Sequence, residues 1–413
     1  MKKKSNCSQR AAGSHQADRS AWQRLWWFSS PAWGLDAGGS IFHHRIAFGL
    51  LTALILLHAG SPVLSQPVQQ GTESEASLVD MERLERWMRE RPQPESRWIW
   101  GAPPDQEGPW RSDSGDWMEG KIIDWNADGL IHRIEGDPEI RRLLGDQCAA
   151  MEVAWSTPQA EQADQMYRRG EWLESVRSAQ QAMGSGILPW QRRVLATQIV
   201  DALVQEGKMD LAVSVWEKLV QERPPLLHYA FMPLVWSRDA ITMDMPTNAL
   251  SWLDSEEPSV RLIGASWLLA SRDRQRALEV LQALAKDSHP AIRQLASAQQ
   301  WRVLSASQFA AEKLPEILAA RDRMLFPLQI GPTFLIADRL EEADQAVLAL
   351  YQWQHLVTLH RQTRVAAVAA RRWLALLAQL QSEATEPTSA WCAQQLPFWK
   401  ATQGSAIKDG KGK

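Results

Sequence analysis

The sequence predicts a mainly α-helical chain: a right-handed α-solenoid of helical hairpins preceded by a small β unit. Three observations predict it. A short pattern occurs twice, 32 residues apart, as Pro258-Ser259-Val260-Arg261 and Pro290-Ala291-Ile292-Arg293. A fixed period of 20–50 residues marks stacked repeats. From Thr157 onward, apolar residues recur with a period near 3.6, the signature of amphipathic helices. Before that point two β-branched or apolar runs, 121–125 and 130–134, flank Asn126-Ala127-Asp128-Gly129, the layout of a hairpin.

Residues 1–65 are expected to be a targeting segment. Lys2, Lys3, Lys4, Arg10, Arg19, Arg24 and Arg45 make a basic stretch, and an apolar run follows at 46–57. That run suits a signal-peptide core and falls short of the roughly 20 residues needed to span a bilayer. Val63 and Ser65 occupy the small-residue places before a cut, which the sequence sets before Gln66. The expected compartment is the periplasm or cell envelope of a bacterium, with membrane contact only if the segment is retained as an anchor. Residues 1–65 hold 7 of the 45 basic and 2 of the 48 acidic residues, so the remainder carries 38 against 46, a formal charge of −8. Such a surface repels phosphate backbones, and nucleic acid is not an expected partner. After the cut only Cys148 and Cys392 remain; an oxidising compartment permits a disulfide between them, and two buried thiols are the alternative.

In chain order, 66–95 reads as a polar linker and a short helix, with Leu78, Met81, Leu84, Trp87 and Met88 on one stripe, stopped by Pro92 and Pro94. Residues 96–156 form the small Trp-rich β unit: an irregular stretch at 96–118, the hairpin, and a third strand at 148–155. A helical-repeat domain covers 157–400, and 401–413 is a solvated tail. Within the helical part, Ala163, Tyr167, Gly170, Ala179 and Ala182 fall at small and aromatic packing positions, with Ser175 replacing the usual Ala. Val200, Gly207, Ala212, Trp216, Leu219 and Pro224 repeat that layout at an offset of 37 residues. These two units resemble tetratricopeptide repeats, whose own period is about 34 residues. The opening pattern belongs to the next block. Val260, Ile263, Gly264, Trp267 and Leu268 make one apolar face, and Ala277, Val280, Leu281, Leu284 and Ala285 make another. This block resembles HEAT-type repeats. Pro258 and Pro290 suit first turns, and Ser288 is the expected N-cap of the second. Further helices are predicted over 307–322, 332–351 and 364–381.

Four features compete as sites. Asp124, Asn126, Asp128, Leu130 and Glu135 lie in DWNADGLIHRIE, which resembles an EF-hand or dockerin-type calcium loop, with Gly129 at the sharp bend. Trp125 at its second place, His132 at its ninth and Gly136-Asp137-Pro138 beyond it depart from that pattern; a hairpin turn built from Asn, Asp and Gly is the competing reading. Trp98, Trp100, Trp110, Trp117 and Trp125 crowd together beside Asp105, Asp113 and Asp116. They suit either a glycan platform or the core of the β unit. Arg261 and Arg293 suit either a ladder with Asp254 and Asp287 or a groove that holds an acidic partner. The histidines His132, His228, His289, His355 and His360 are dispersed, and five residues on one helix set His355 and His360 about 140° apart.

No nucleophile elbow, zinc helix, CxxC pair or phosphate loop occurs in the sequence. The expected function is therefore a non-catalytic, exported scaffold that binds protein segments or envelope proteins through its helical-repeat surface, with no cofactor. The alternative is an envelope-binding module whose β unit holds glycan or calcium, and an enzyme with a dispersed site comes third.

Overall fold

The computed structural model describes residues 96–100, 117–134, 137, 139–143, 148–237, 245–360 and 363–383, all within the compact unit Thr72–Lys413. The expectations for 1–95 and 401–413, and those resting on Trp110, Glu135 and Cys392, lie outside the described residues.

The β unit is one antiparallel sheet of five strands. These are β1 (Ser96–Trp100), β2 (Trp117–Asn126), β3 (Gly129–Ile134), β4 (Arg141–Leu143) and β5 (Cys148–Glu152), in the order β4-β3-β2-β1-β5. The predicted hairpin is β2–β3: Asn126 pairs with Gly129, and Ala127 and Asp128 make the turn. The expectation of an irregular stretch from residue 96 is corrected, because 96–100 is a strand between β2 and β5. Trp98 pairs with Met118 on one side and Met151 on the other, both far along the chain, so no local pattern announces the strand. The third predicted strand stops at Glu152, short of residue 155.

Four helices follow: α1 (Pro158–Arg169), α2 (Trp172–Met183), α3 (Pro189–Gln205) and α4 (Met209–Gln221). Thr157 caps α1 by accepting the Ala160 N–H, with Pro158 in the first turn. The α1–α2 and α3–α4 turns pass through Gly170 at φ 80° and Gly207 at φ 67°, where a Cβ would strain the backbone. Ala163, Ala179, Ala182, Val200, Ala212, Trp216 and Leu219 are all buried. Ser175, in the place of an Ala, donates its hydroxyl to the Ala163 carbonyl across the hairpin at 3.1 Å, which satisfies a polar group in the core.

The middle block contains a 3₁₀ turn at Leu226–Phe231, a short α5 (Ala249–Trp252), α6 (Pro258–Leu268), α7 (Arg274–Leu284) and α8 (Pro290–Gln299). Pro258 and Pro290 start their helices, and the apolar face of α6 is buried as its spacing predicts. Ser288 is not the cap. His289 sits there because Pro290 starts the helix one residue later than a Ser cap requires, and the Asp287 carboxylate accepts the His289 N–H at 2.8 Å. Gly264 lets α5 approach α6: a Cβ there would stand 2.9 Å from Trp252 Cβ and 3.0 Å from the Ala249 carbonyl oxygen. Gly264→Ala is expected to destabilise by about 1–3 kcal/mol through overpacking. A urea midpoint equal to or above that of the parent chain would show that the two helices separate without penalty.

Last come α9 (Leu314–Asp322), α10 (Ile330–Glu342), α11 (Ala346–Leu359) and α12 (Arg364–Glu383). Two expectations are corrected. The helix read over 307–322 opens with a π turn at Gln308–Lys313, next to Pro315, which supplies no N–H to a regular ladder. The helix read over 332–351 is two helices, reversed at Asp344, whose φ is 55°. The helix read over 364–381 is α12.

Apolar side chains gather in three clusters. One runs through α1–α8 to Met324 and Leu328, a second from Phe309 to Leu377, and a third joins Ile122, Trp125, Leu130 and Cys148 of the sheet to Leu188 and Trp190. Trp236 and Trp301 pack against both of the first two. Polar bonds connect each of several helices to the next but one. Tyr167 donates to Asp201 at 2.5 Å and Gln198 to Asp164 at 2.7 Å, joining α1 and α3. Ser266 donates to Gln299 at 3.0 Å, Arg321 to Gln352 at 2.7 Å and Arg372 to Glu341 at 3.2 Å, joining α6 to α8, α9 to α11 and α12 to α10. The separations along the chain in these five bonds run only from 31 to 34 residues.

Candidate functional site

The Asp-rich turn is a brace between the sheet and the helices. Asp124 accepts its neighbour's N–H and the Asn126 amide, both at 2.8 Å, and its Oδ1 lies 2.5 Å from Arg193 Nη2 of α3. Arg193 also donates to the Trp125 carbonyl from Nε and Nη2, at 3.1 and 2.7 Å. Arg223, just past α4, holds Asp128 at 2.8 Å. The turn is the hairpin that the sequence offered beside the calcium loop. Asp124, Asn126 and Leu130 belong to paired strands, Leu130 is fully buried, and the two aspartates face arginines rather than one shared centre.

The tryptophans separate by position. Trp98 and Trp100 are register positions of the inner strand β1, and Trp117 opens β2 opposite Ile99. Trp125 is core, 2% exposed, with its ring edge-on to His228 at 5.0 Å. Arg261 and Arg293 play one role twice. Each donates Nη1 to two carbonyls of the loop before its own helix: Ser255 and Glu256 for Arg261, Asp287 and Ser288 for Arg293, at 2.8–3.3 Å. The expected ladder with Asp254 and Asp287 is corrected, since Asp254 pairs with Arg276 and the Asp287 carboxylate accepts the His289 N–H. The repeated Arg is a helix-start clamp.

Of the five histidines, His132, His228 and His360 are buried, and His289 and His355 are partly buried. His228 lies 2.8 Å from the Thr197 hydroxyl, and burial, with Arg193 nearby, pulls it down to about 3. The 140° separation of His355 and His360 does not hold, because α11 ends at Leu359 and His360 turns back. Their ring centroids are 6.2 Å apart, and His360 stacks on Phe326 at 4.4 Å. Burial pulls His355 down to about 4 and His360 to about 3, and Arg321 pushes both in the same direction.

A cleft of about 260 Å³ brings together what no local motif announces. Its wall holds Arg274 at the start of α7, Arg302 in the turn after α8, and Arg339 of α10, against Leu269, Ala270, Val303 and Leu335. Arg302 donates Nη1 to the Ser266 carbonyl at 2.7 Å and to Gln299 Oε1 at 2.8 Å, and its Nε is buried without a hydrogen-bond partner. Ser266 and Gln299 in turn bond the Val235 backbone, so one arm of Arg302 belongs to a buried polar network. Arg339, 3% exposed at its side chain, pairs with Glu342 at 2.7 Å and donates to the Leu304 carbonyl. Arg274 donates to the Val303 carbonyl at 3.3 Å from an exposed position. Burial, reinforced by Arg339, pulls the Arg302 guanidinium down to about 10. Among the described residues no carboxylate pairs with Arg302 or Arg274.

Among the described residues no helix is long and apolar enough to cross a membrane, and no group of three or more His, Cys, Asp or Glu is placed to hold a metal ion. Cys148 is buried, which pushes its thiol up to about 12. Comparison with family models, with curated proteins and with solved structures finds no match.

Proposed function

We propose that this chain is a non-catalytic, exported scaffold of the bacterial cell envelope that holds protein segments along a right-handed α-solenoid. The observation that carries the reading is the recurrence of polar bonds between alternate helices at a separation of 31–34 residues. That separation is the length of one helical hairpin, so each unit leans on the next, and a serial stack exposes a long continuous surface. The glycines at the ends of α1 and α3 and the small residues inside the hairpins support the tetratricopeptide-like part. The paired proline starts and arginine clamps support the HEAT-like part. Val347, Leu348 and Tyr351 project from one side of α11 with 41–50% of their surface exposed, a place for an apolar contact. Export rests on the basic and apolar runs of residues 1–65. Chemical cross-linking of the full chain in envelope extracts is expected to give a discrete protein adduct, with no retention of the chain on insoluble cell-wall polysaccharide. Retention on the polysaccharide with no protein adduct would favour the envelope-binding module instead.

A further inference from the structure

We infer that the cleft among Arg274, Arg302 and Arg339 binds a carboxylate that carries a short aliphatic group. The electrostatics come first. A guanidinium removed from water without a compensating anion is strongly disfavoured, and the usual remedy is a paired carboxylate. Arg339 has Glu342, but Arg302 has only neutral acceptors, and its Nε is buried with no acceptor at all. Arg274 stands at the rim with one carbonyl as acceptor. The acidic residues nearby are already engaged: Glu342 with Arg339, and Asp273 with Arg272 at 3.7 Å. An incoming anion therefore meets positive charge that no side chain of the wall neutralises.

Shape and lining narrow the chemistry. Leu269, Ala270, Val303 and Leu335 supply the apolar part of the lining, and Ser271 beside them already donates its hydroxyl to the Leu268 carbonyl. A phosphate would leave oxygens against that wall without donors, which is costly when buried. A carboxylate directs both oxygens to one side, where planar guanidinium groups bind it well, and leaves its alkyl side for the apolar wall. The volume of about 260 Å³ lies just under the range of drug-sized sites, which suits a small acid or a single terminal residue. A free branched-chain acid and the C-terminal residue of a peptide share this chemistry. Only the second depends on the scaffold reading.

Calorimetric titration of the purified full chain tests the inference with four probes: 3-methylbutanoate, a short peptide ending in a free valine carboxylate, the same peptide amidated, and inorganic phosphate. Binding of 3-methylbutanoate is expected, weakened about tenfold by Arg274→Gln and abolished by Arg302→Gln. Arg274 is exposed, so its substitution should leave the unfolding midpoint in place and keep the result independent of folding. Binding of the free-acid peptide but not the amide would identify a chain terminus as the source. Binding of the acid alone would uphold the site while removing it from the scaffold reading. The inference is overturned if neither carboxylate probe binds, if phosphate binds in their place, or if Arg274→Gln leaves carboxylate affinity unchanged.

Discussion

Lowering the pH from 7.5 to 5 is expected to remove about 6 kcal/mol of folding stability, through three wholly or partly buried histidines. His228, His355 and His360 are held near 3, 4 and 3, each by burial first, against an ordinary value of 6.5. The sign follows from which state takes up the proton. Above 6.5 neither state is protonated and the full stability is present. Between 6.5 and the folded values only the unfolded chain binds protons, so each histidine removes about 1.4 kcal/mol per pH unit, or about 2 kcal/mol by pH 5. Burial also lowers His132 and His289, which adds in the same direction. A domain with typical stability of about 5–15 kcal/mol is brought close to unfolding. Urea titrations at the two pH values measure the difference. His360→Phe, which keeps a ring against Phe326, should flatten the slope by about one third. A difference below about 1 kcal/mol would mean that these rings reach water in the folded state.

Arg193→Ala is expected to destabilise by about 3 kcal/mol, whereas Arg223→Ala should lose less than about 1 kcal/mol. Both arginines hold an aspartate of the same hairpin, and burial separates them. Arg193 is 8% exposed and bonds both Asp124 and the Trp125 carbonyl, so truncation leaves two acceptors short of donors at the seam between sheet and α3. Arg223 is 70% exposed and its pair with Asp128 is screened by water. Chemical denaturation of the two variants decides the point. Equal losses would show that the seam is wet and that Arg193 contributes only a surface pair.

The helices were legible wherever a buried stripe and a boundary residue agree. Thr157, Pro158 and Gly170 frame α1, and Pro258 and Pro290 start α6 and α8. The reversal at Asp344 carried no such mark: no Gly or Pro stands there, and Asp is one of the few residues that enter the left-handed region at modest penalty. Strand β1 was missed because its partners come from distant parts of the chain, and its own Trp-rich, loop-like surroundings gave no alternation to read. His355 and His360 were set apart by assuming that the helix continues, and α11 ends between them. The arginine cleft is assembled from three elements and has no motif. One signal was present: Arg339 falls in the apolar phase of α10, between buried Ile336 and Leu340, as Arg193 falls between buried Trp190 and Leu195 in α3. A charged residue in the buried phase of a helix is informative because it needs a partner.

The scaffold reading is tested most directly by photo-cross-linking in the cell, with a benzophenone side chain placed singly at Leu348 of α11, at Leu250 of α5 and at Arg142 of β4, all exposed. Covalent protein adducts at Leu348 or Leu250, and none at Arg142, are the expected result. Adducts confined to Arg142, with both helical positions silent, would contradict it and assign binding to the sheet.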